Sequence, residues 1–104
     1  MISLEEAAQG FAAVGSESRL AVLLLLVKTG IEGLTIGEIR QQLKMPASTL
    51  AHHLRFLGAA NLIEQEKQGR EVINRANFDH VELLGDYLLS ECCAKNKNRC
   101  NKIR

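Results

Sequence analysis

Three thiols, Cys92, Cys93 and Cys100, lie within nine residues in the stretch SECCAKNKNRCNKIR. Every cysteine of the chain is there, among Lys95, Lys97, Arg99, Lys102 and Arg104. Cations beside a thiol lower its pKa and enlarge the thiolate fraction at neutral pH. Three thiolates with no histidine or paired carboxylate suit a soft, thiophilic ion and not calcium, magnesium or manganese. Neighbouring helical residues point about 100° apart, yet both sulfurs can reach one atom just off a helix end. The polar segment Asn96-Lys97-Asn98 can bend back to bring Cys100. Zinc usually takes four ligands, one more than this set offers. Trivalent arsenic or antimony, with a lone pair in the fourth direction, takes three. The same residues leave other chemistries open: burial of Cys92 as a small core side chain, a redox switch through a disulfide between Cys100 and either neighbour or through a persulfide, or a methylated trivalent arsenical held by the vicinal pair alone.

The elements that position these thiols belong to a small chain. Its 104 residues read as a single domain, 1–104, with a basic tail at 95–104. Chains of this size bury only about 60–70% of their unfolded surface, which favours a partner subunit. The balance of 46% apolar and 24% charged residues is globular. No apolar run approaches the roughly 18 residues of a membrane span. The opening MISLEEAAQGF carries Glu5 and Glu6 where a signal peptide is apolar, so the expected compartment is the cytoplasm. There, an odd set of three cysteines is not expected to form a disulfide framework. The net charge of +1 hides an asymmetry: the tail has five bases and no acid, and the first 94 residues have eight bases against twelve acids. An anionic partner must therefore be met by local patches. One such patch is 35–60, with Glu38 as its only acid against Arg40, Lys44 and Arg55.

Spacing predicts five helices and a hairpin. Ser3 and Glu6 form a capping-box pattern ahead of a helix over 4–14, with Leu4, Ala7, Ala8 and Phe11 at helical spacing. Gly15 breaks it. Ser16 caps a second helix through Leu20, Leu23, Leu24 and Val27, closed by a left-handed Gly30. Its run LAVLLLLV is apolar nearly all round, as in a central buried helix. Thr35 and Glu38 repeat the capping box before a short third helix with Ile36, Ile39 and Leu43 inward. Lys44-Met45-Pro46 is the turn, and Pro46 suits the first position of a fourth helix running to about residue 59. Leu50, Leu54 and Leu57 form its buried stripe, and Asn61, tolerant of positive φ, stops it. Leu62-Ile63 and Val72-Ile73 flank the charged tip Lys67-Gln68-Gly69-Arg70, a hairpin signature. Asn77 caps a last helix from 78 to about 93, with Val81, Leu84, Leu88 and Cys92 along one side. The fold expected is mainly α with a small β-hairpin wing, in the order of a winged helix-turn-helix.

A short helix, a tight turn and a second helix allow the second to enter the DNA major groove. The solvent face of the fourth helix is small and polar: Ala47, Ser48, Thr49, Ala51, His52 and Arg55, with no acid anywhere in 46–61. Ser48 and Thr49 in the first turn can meet phosphate together with free backbone N–H groups. His52 and Arg55 can reach base edges, and an arginine can make a bidentate contact with guanine. Lys67, Gln68 and Arg70 at the hairpin tip can follow the backbone into the next minor groove. His53, beside the apolar Leu54, reads as a packing or capping histidine. A solvated face on an unrelated bundle fits the same pattern.

Three stretches resemble the ArsR/SmtB family of bacterial metalloregulatory repressors. FAAVGSESRLAVLLLL is similar to the family opening F-x-x-L-x-D-x-T-R-L-x-I-L. MPASTLAHHLRFL is similar to its recognition helix L-S-x-S-T-V-S-x-H-L-x-x-L, and NLIEQEKQGREVINRA to its wing G-L-V-x-x-x-R-x-G-R-x-x-x-Y. The likeness covers about residues 8–76. Pro46 and Ala51 stand where the family often has serine, Asn61 replaces the usual glycine, and Ile73-Asn74 replaces the wing aromatics. The resemblance implies a homodimer held by the first and last helices, to which Leu4, Ala8, Phe11, Leu84 and Leu88 can contribute. Two-fold symmetry then sets the recognition helices about 34 Å apart and implies an inverted-repeat operator.

The resemblance also narrows the inducer. The family's Cys-x-Cys site on the third helix has no counterpart in LTIGEIRQQL. Its zinc site of Asp and His across the last helix fails too, because Asp79 and His80 are adjacent and no histidine follows. What remains is Cys92, Cys93 and Cys100, and family repressors with a C-terminal cysteine trio for arsenite tip the reading to arsenite or antimonite as inducer. An enzyme is not expected. No nucleophile has a positioned histidine and acid, and no phosphate-binding loop is present.

Overall fold

Each helix start that the chain marks with a small hydroxyl residue forms in the computed structural model, which describes residues 2–95, with side chains through Cys92. Ser3 opens α1 (Leu4–Val14) with both halves of a capping box, its Oγ accepting from the Glu6 N–H while Glu6 Oε1 accepts from the Ser3 N–H, each at 3.1 Å. These two bonds from Ser3 hold the Glu6 carboxyl below its ordinary pKa. Ser16 caps α2 (Glu17–Thr29), and Thr35 opens α3 (Ile36–Leu43) with a second complete box. Then follow α4 (Ala47–Ala59), the strands β2 (Ile63–Gln68) and β3 (Glu71–Ala76), and α5 (Phe78–Lys95). Asn77 caps α5, its Oδ1 accepting from the His80 N–H at 3.3 Å.

The wing is larger than a hairpin. A two-residue strand, β1 (Leu34–Thr35), pairs antiparallel with β3, giving a three-stranded sheet of order β1-β3-β2. Leu34 lies opposite Asn74, and Gln65 lies opposite Asn74 from the other side. Asn74 is fully buried, which its bonds make tolerable: its Nδ2 donates to the Leu34 carbonyl at 3.2 Å, and its Oδ1 accepts from Gln65 Nε2 at 2.7 Å. A single asparagine thus ties all three strands.

The core gathers Val22, Leu23 and Leu26 of α2, Ile39 of α3, Leu50, Leu54 and Leu57 of α4, and Leu62 and Ile63 at the root of the wing. Several inward faces differ from those expected. On α2 the stripe Leu20 and Leu24 is exposed, because α1, α3, α4 and β3 pack against the other sides. Gly30 does have positive φ, 91°, but with ψ −164° it ends α2 in an extended conformation and not in the left-handed helical one. Pro46 precedes α4 as its N-cap residue and is not its first helical one; its own extended ψ of 149° keeps it outside the helix. Asn61 takes the positive φ expected of it, 67°.

Of the residues expected at a subunit seam, Leu84 belongs to the core of its own chain. It is only 6% exposed, and its methyl groups sit where a Cβ on Gly10 would meet them at 2.9 Å. The missing side chain of Gly10 is what lets α5 lie this close to α1. Phe11 is half-buried against the same core, while Leu4 and Ala8 are exposed. Beyond Leu84, α5 outruns the rest of the fold: Leu88 is 59% exposed and Leu89 is exposed as well. Cys100 and the tail at 96–104 lie outside the described residues.

Candidate nucleic-acid interface

The turn between α3 and α4 is set by two local constraints. Lys44 adopts the left-handed conformation (φ 52°, ψ 50°), and its N–H closes α3 on the Arg40 carbonyl at 2.7 Å. Proline at 46 then disfavours helical backbone at Met45. Arg40 and Lys44 edge a shallow hollow of about 510 Å³ floored by Met45 and Pro46. Two cations therefore flank the entrance to α4.

The start of α4 differs from every other helix start. At α1, α2, α3 and α5 a side-chain oxygen accepts a first-turn N–H. Pro46 makes no side-chain cap bond. The first intrahelical bond runs from the Leu50 N–H to the Pro46 carbonyl at 3.0 Å. The N–H groups of Ala47, Ser48 and Thr49 thus have no acceptor within the helix. The helix dipole adds partial positive charge at this end, with no acid in the first turn. All three residues are exposed, as are Ala51, His52 and Arg55. Ser48, His52 and Arg55, at i, i+4 and i+7, share one face, opposite the buried Leu50, Leu54 and Leu57. Donors of several kinds, a guanidinium and small methyl groups all face solvent there.

The wing brings Lys67, Gln68 and Arg70 to a second, separate location. Gln68 pairs with Glu71, so Gly69 and Arg70 form a two-residue turn. Gly69 has φ 62°, the sign required at the first central position of a type II′ hairpin turn. All three expected contact residues are exposed. Arg75, by contrast, is committed inside the protein. Its Nε donates to the Ile31 carbonyl at 2.9 Å and its Nη1 to Glu66 Oε1 at 2.9 Å. The Arg75 bond to Glu66, a further bond from Gln68 and the Arg75 charge hold the Glu66 carboxyl below its usual range.

Behind the exposed face of α4 lies a joint that sequence reasoning missed. Arg19, early in α2, donates from Nε to the Ala13 carbonyl at 2.7 Å and from Nη2 to the Ala12 carbonyl at 3.2 Å. A cation there complements the negative end of the α1 dipole. The same guanidinium lies 4.3 Å from the centre of the Phe56 ring on α4, a cation–π distance. One side chain therefore links α1, α2 and the exposed helix. An arginine three residues after a cap and a lone aromatic on a polar helix were the available signals. His53 is half-buried as a packing residue, and its Nδ1 is buried without a hydrogen-bond partner. Burial first, then the charges of Arg19 and His52, holds its pKa below the ordinary histidine value.

The thiols are far less constrained by what is described. Cys92 is half-buried in the last turn of α5, and Cys93 follows it on the same helix. Among the described residues, no three His, Cys, Asp or Glu side chains group to hold a metal ion.

Residues 14–66 match the family model described as a helix-turn-helix domain. The chain is 36% identical over 69 residues to the HTH-type transcriptional regulator MJ1325 of Methanocaldococcus jannaschii, covering 66% of this chain and 75% of that protein. Among solved structures, an ArsR-like transcriptional regulator from Rhodococcus sp. RHA1 superposes with a TM-score of 0.73 at 27% identity, covering 95% of this chain and 90% of the other. The homodimeric winged helix-turn-helix DNA-binding domain of Mb0332 from Mycobacterium bovis gives 0.67 at 22% identity, over 86% and 82% of the two chains. That last likeness is one of fold.

Proposed function

The chain belongs to the helix-turn-helix transcriptional regulators of ArsR type, and from that membership we propose that it acts as a homodimeric repressor. It holds an inverted-repeat operator when empty and releases it when trivalent arsenic or antimony binds Cys92, Cys93 and Cys100. The observation that carries the DNA half is the uncapped start of α4. Three N–H groups without an acceptor in the helix, on exposed residues of a helix free of acids, favour an anion at that end. Phosphate would sit over Ala47, Ser48 and Thr49, with His52 and Arg55 reaching base edges and Lys67, Gln68 and Arg70 following the backbone from the wing. The dimer would form through the exposed Leu4 and Ala8 of α1 with Leu88 and Leu89 of α5, whose apolar stripe runs past its own core. Leu84 is not part of that seam.

The chemistry of the donor set supports the inducer: three sulfurs, no oxygen or nitrogen ligand, and flanking cations that favour thiolate. Ordering residues beyond α5 around an ion would shift the angle between the two DNA-reading modules, and couplings of about 1–3 kcal/mol are typical of such devices. The test is a fluorescence-anisotropy titration of the operator complex with arsenite, for the native chain and for Cys92→Ser, Cys93→Ser and Cys100→Ser. Release by arsenite that each substitution abolishes supports the trio. An operator complex that survives arsenite rejects it. Release by methylarsenite alone, kept in Cys100→Ser, assigns the signal to the vicinal pair. A two-proton mass loss after mild oxidant, or an added sulfur after inorganic polysulfide as donor, lost in Cys100→Ser, assigns it to redox chemistry.

A further inference from the structure

A group of polar and aromatic side chains faces a cleft between α1 and α4. It has a volume of about 410 Å³, within the range of roughly 300–1,000 Å³ typical of small-molecule sites. Gln9 and Ala12 form the α1 wall, and His52, Arg55, Phe56 and Ala59 form the α4 wall. Three properties define what fits. No acid lines the cleft, and Arg55 and His52 stand on one side of it, so the charge complement is an anion. Phe56 is 43% exposed although Arg19 lies over its ring, and the His52 ring meets it edge-on at 6.1 Å and 67°. An aromatic ring can extend that arrangement. Methyl groups of Ala12 and Ala59 leave room for a flat ligand, and Gln9 is the one uncharged polar side chain on the lining besides His52.

We propose that this cleft binds a small aromatic carboxylate of one or two rings, with its carboxylate on the Arg55 guanidinium and its ring against Phe56. A planar guanidinium pairs bidentately with carboxylate, which distinguishes this ligand from a neutral aromatic. Resting on the proposed DNA reading, the consequence is regulatory. Arg55 and His52 cannot hold the carboxylate and meet a duplex together, so ligand and operator compete. The input is separate from Cys92 and Cys93, which lie on α5.

Titration of the full chain, free of DNA, with 2-naphthoate and followed by two-dimensional NMR tests the site. The expected result is saturable shifts at Ala12, Phe56 and Ala59. Ala59→Leu and Ala12→Leu, exposed positions outside the DNA-contact set, fill the cleft and should weaken 2-naphthoate at least about tenfold while operator binding stays. The neutral 2-naphthamide should bind about tenfold more weakly than the acid, and 2-naphthoate should displace a bound operator. Absence of shifts at millimolar 2-naphthoate, or binding indifferent to both leucine variants, overturns the site. Equal binding of the amide overturns the assignment of the anion. A ligand that binds and leaves the duplex in place overturns the competition. Failure of the DNA reading is separable, because it removes operator binding in the absence of any 2-naphthoate and leaves the NMR titration untouched.

Discussion

Helices α4 and α5 carry similar apolar stripes and meet opposite fates. On α4, Leu50, Leu54 and Leu57 are all buried within the chain, so its polar face is left wholly to solvent. On α5, the stripe starts in the core at Val81 and Leu84 and then emerges, with Leu88 exposed. A stripe completed inside the chain fixes an element for use by something polar. One left unfinished exposes apolar surface that the other described residues do not cover, and the proposed function assigns that cover to a second copy of the chain. The contrast matches the two jobs the proposed function assigns: reading a duplex to α4 and coupling two subunits to α5.

The largest effect expected tests the completed stripe. Leu57→Ala should destabilise the fold by about 2–5 kcal/mol in chemical denaturation, the range for a fully buried leucine. Leu88→Ala should cost the isolated chain much less and should instead weaken self-association. Equal losses would erase the contrast. Next, Leu88→Glu combined with Leu89→Glu should give a folded monomer in sedimentation equilibrium, with native circular dichroism and lost operator affinity; an intact dimer would place the seam elsewhere. Arg55→Ala should weaken operator binding by about 1–3 kcal/mol with little change in melting temperature. Removing the α3 cap by Thr35→Ala should cost about 1 kcal/mol of stability and test whether the helix before the turn is held by that box.

The smallest effect concerns pH. His53 has a folded pKa below the unfolded value of about 6.5, so the unfolded chain takes up the proton first as pH falls. The contribution of the neutral ring is complete above about pH 6.5 and is lost as pH falls from there toward the folded pKa. His53→Gln should flatten the stability profile between roughly pH 7 and 5. A profile as steep as the native one would assign the dependence to other groups.

The starts of α1, α2, α3 and α5 were legible because a capping side chain and its partner sit three residues apart, a local signal that packing rarely overrides. The exposed face of α4 was legible for a similar reason: its periodicity matches a single buried side. The wing turn followed from Gly69. Burial that depends on distant partners was not legible. Leu20 and Leu24 look as central as Leu23 in a run of leucines, and only the placement of neighbouring elements exposes them. Asn74 is polar and fully buried because Leu34 and Gln65 satisfy it from two other strands. Strand β1, two residues long, has no period to read. Leu84 and Leu88 share a stripe, and the packing of Leu84 against Gly10 of another helix is not visible from that stripe. The Arg19–Phe56 contact joins two helices across 37 positions and leaves no local trace.

Selection of bound duplexes from a random DNA pool by the purified full chain, read by sequencing, tests most directly the proposal that α4 reads DNA in a two-fold pair. The expected outcome is an inverted repeat whose half-site centres lie one helical turn, about 10–10.5 base pairs, apart, with enrichment lost for Arg55→Ala and for Ser48→Asp. Enrichment of a single asymmetric site, or enrichment that survives a carboxylate at the open end of α4, would contradict it.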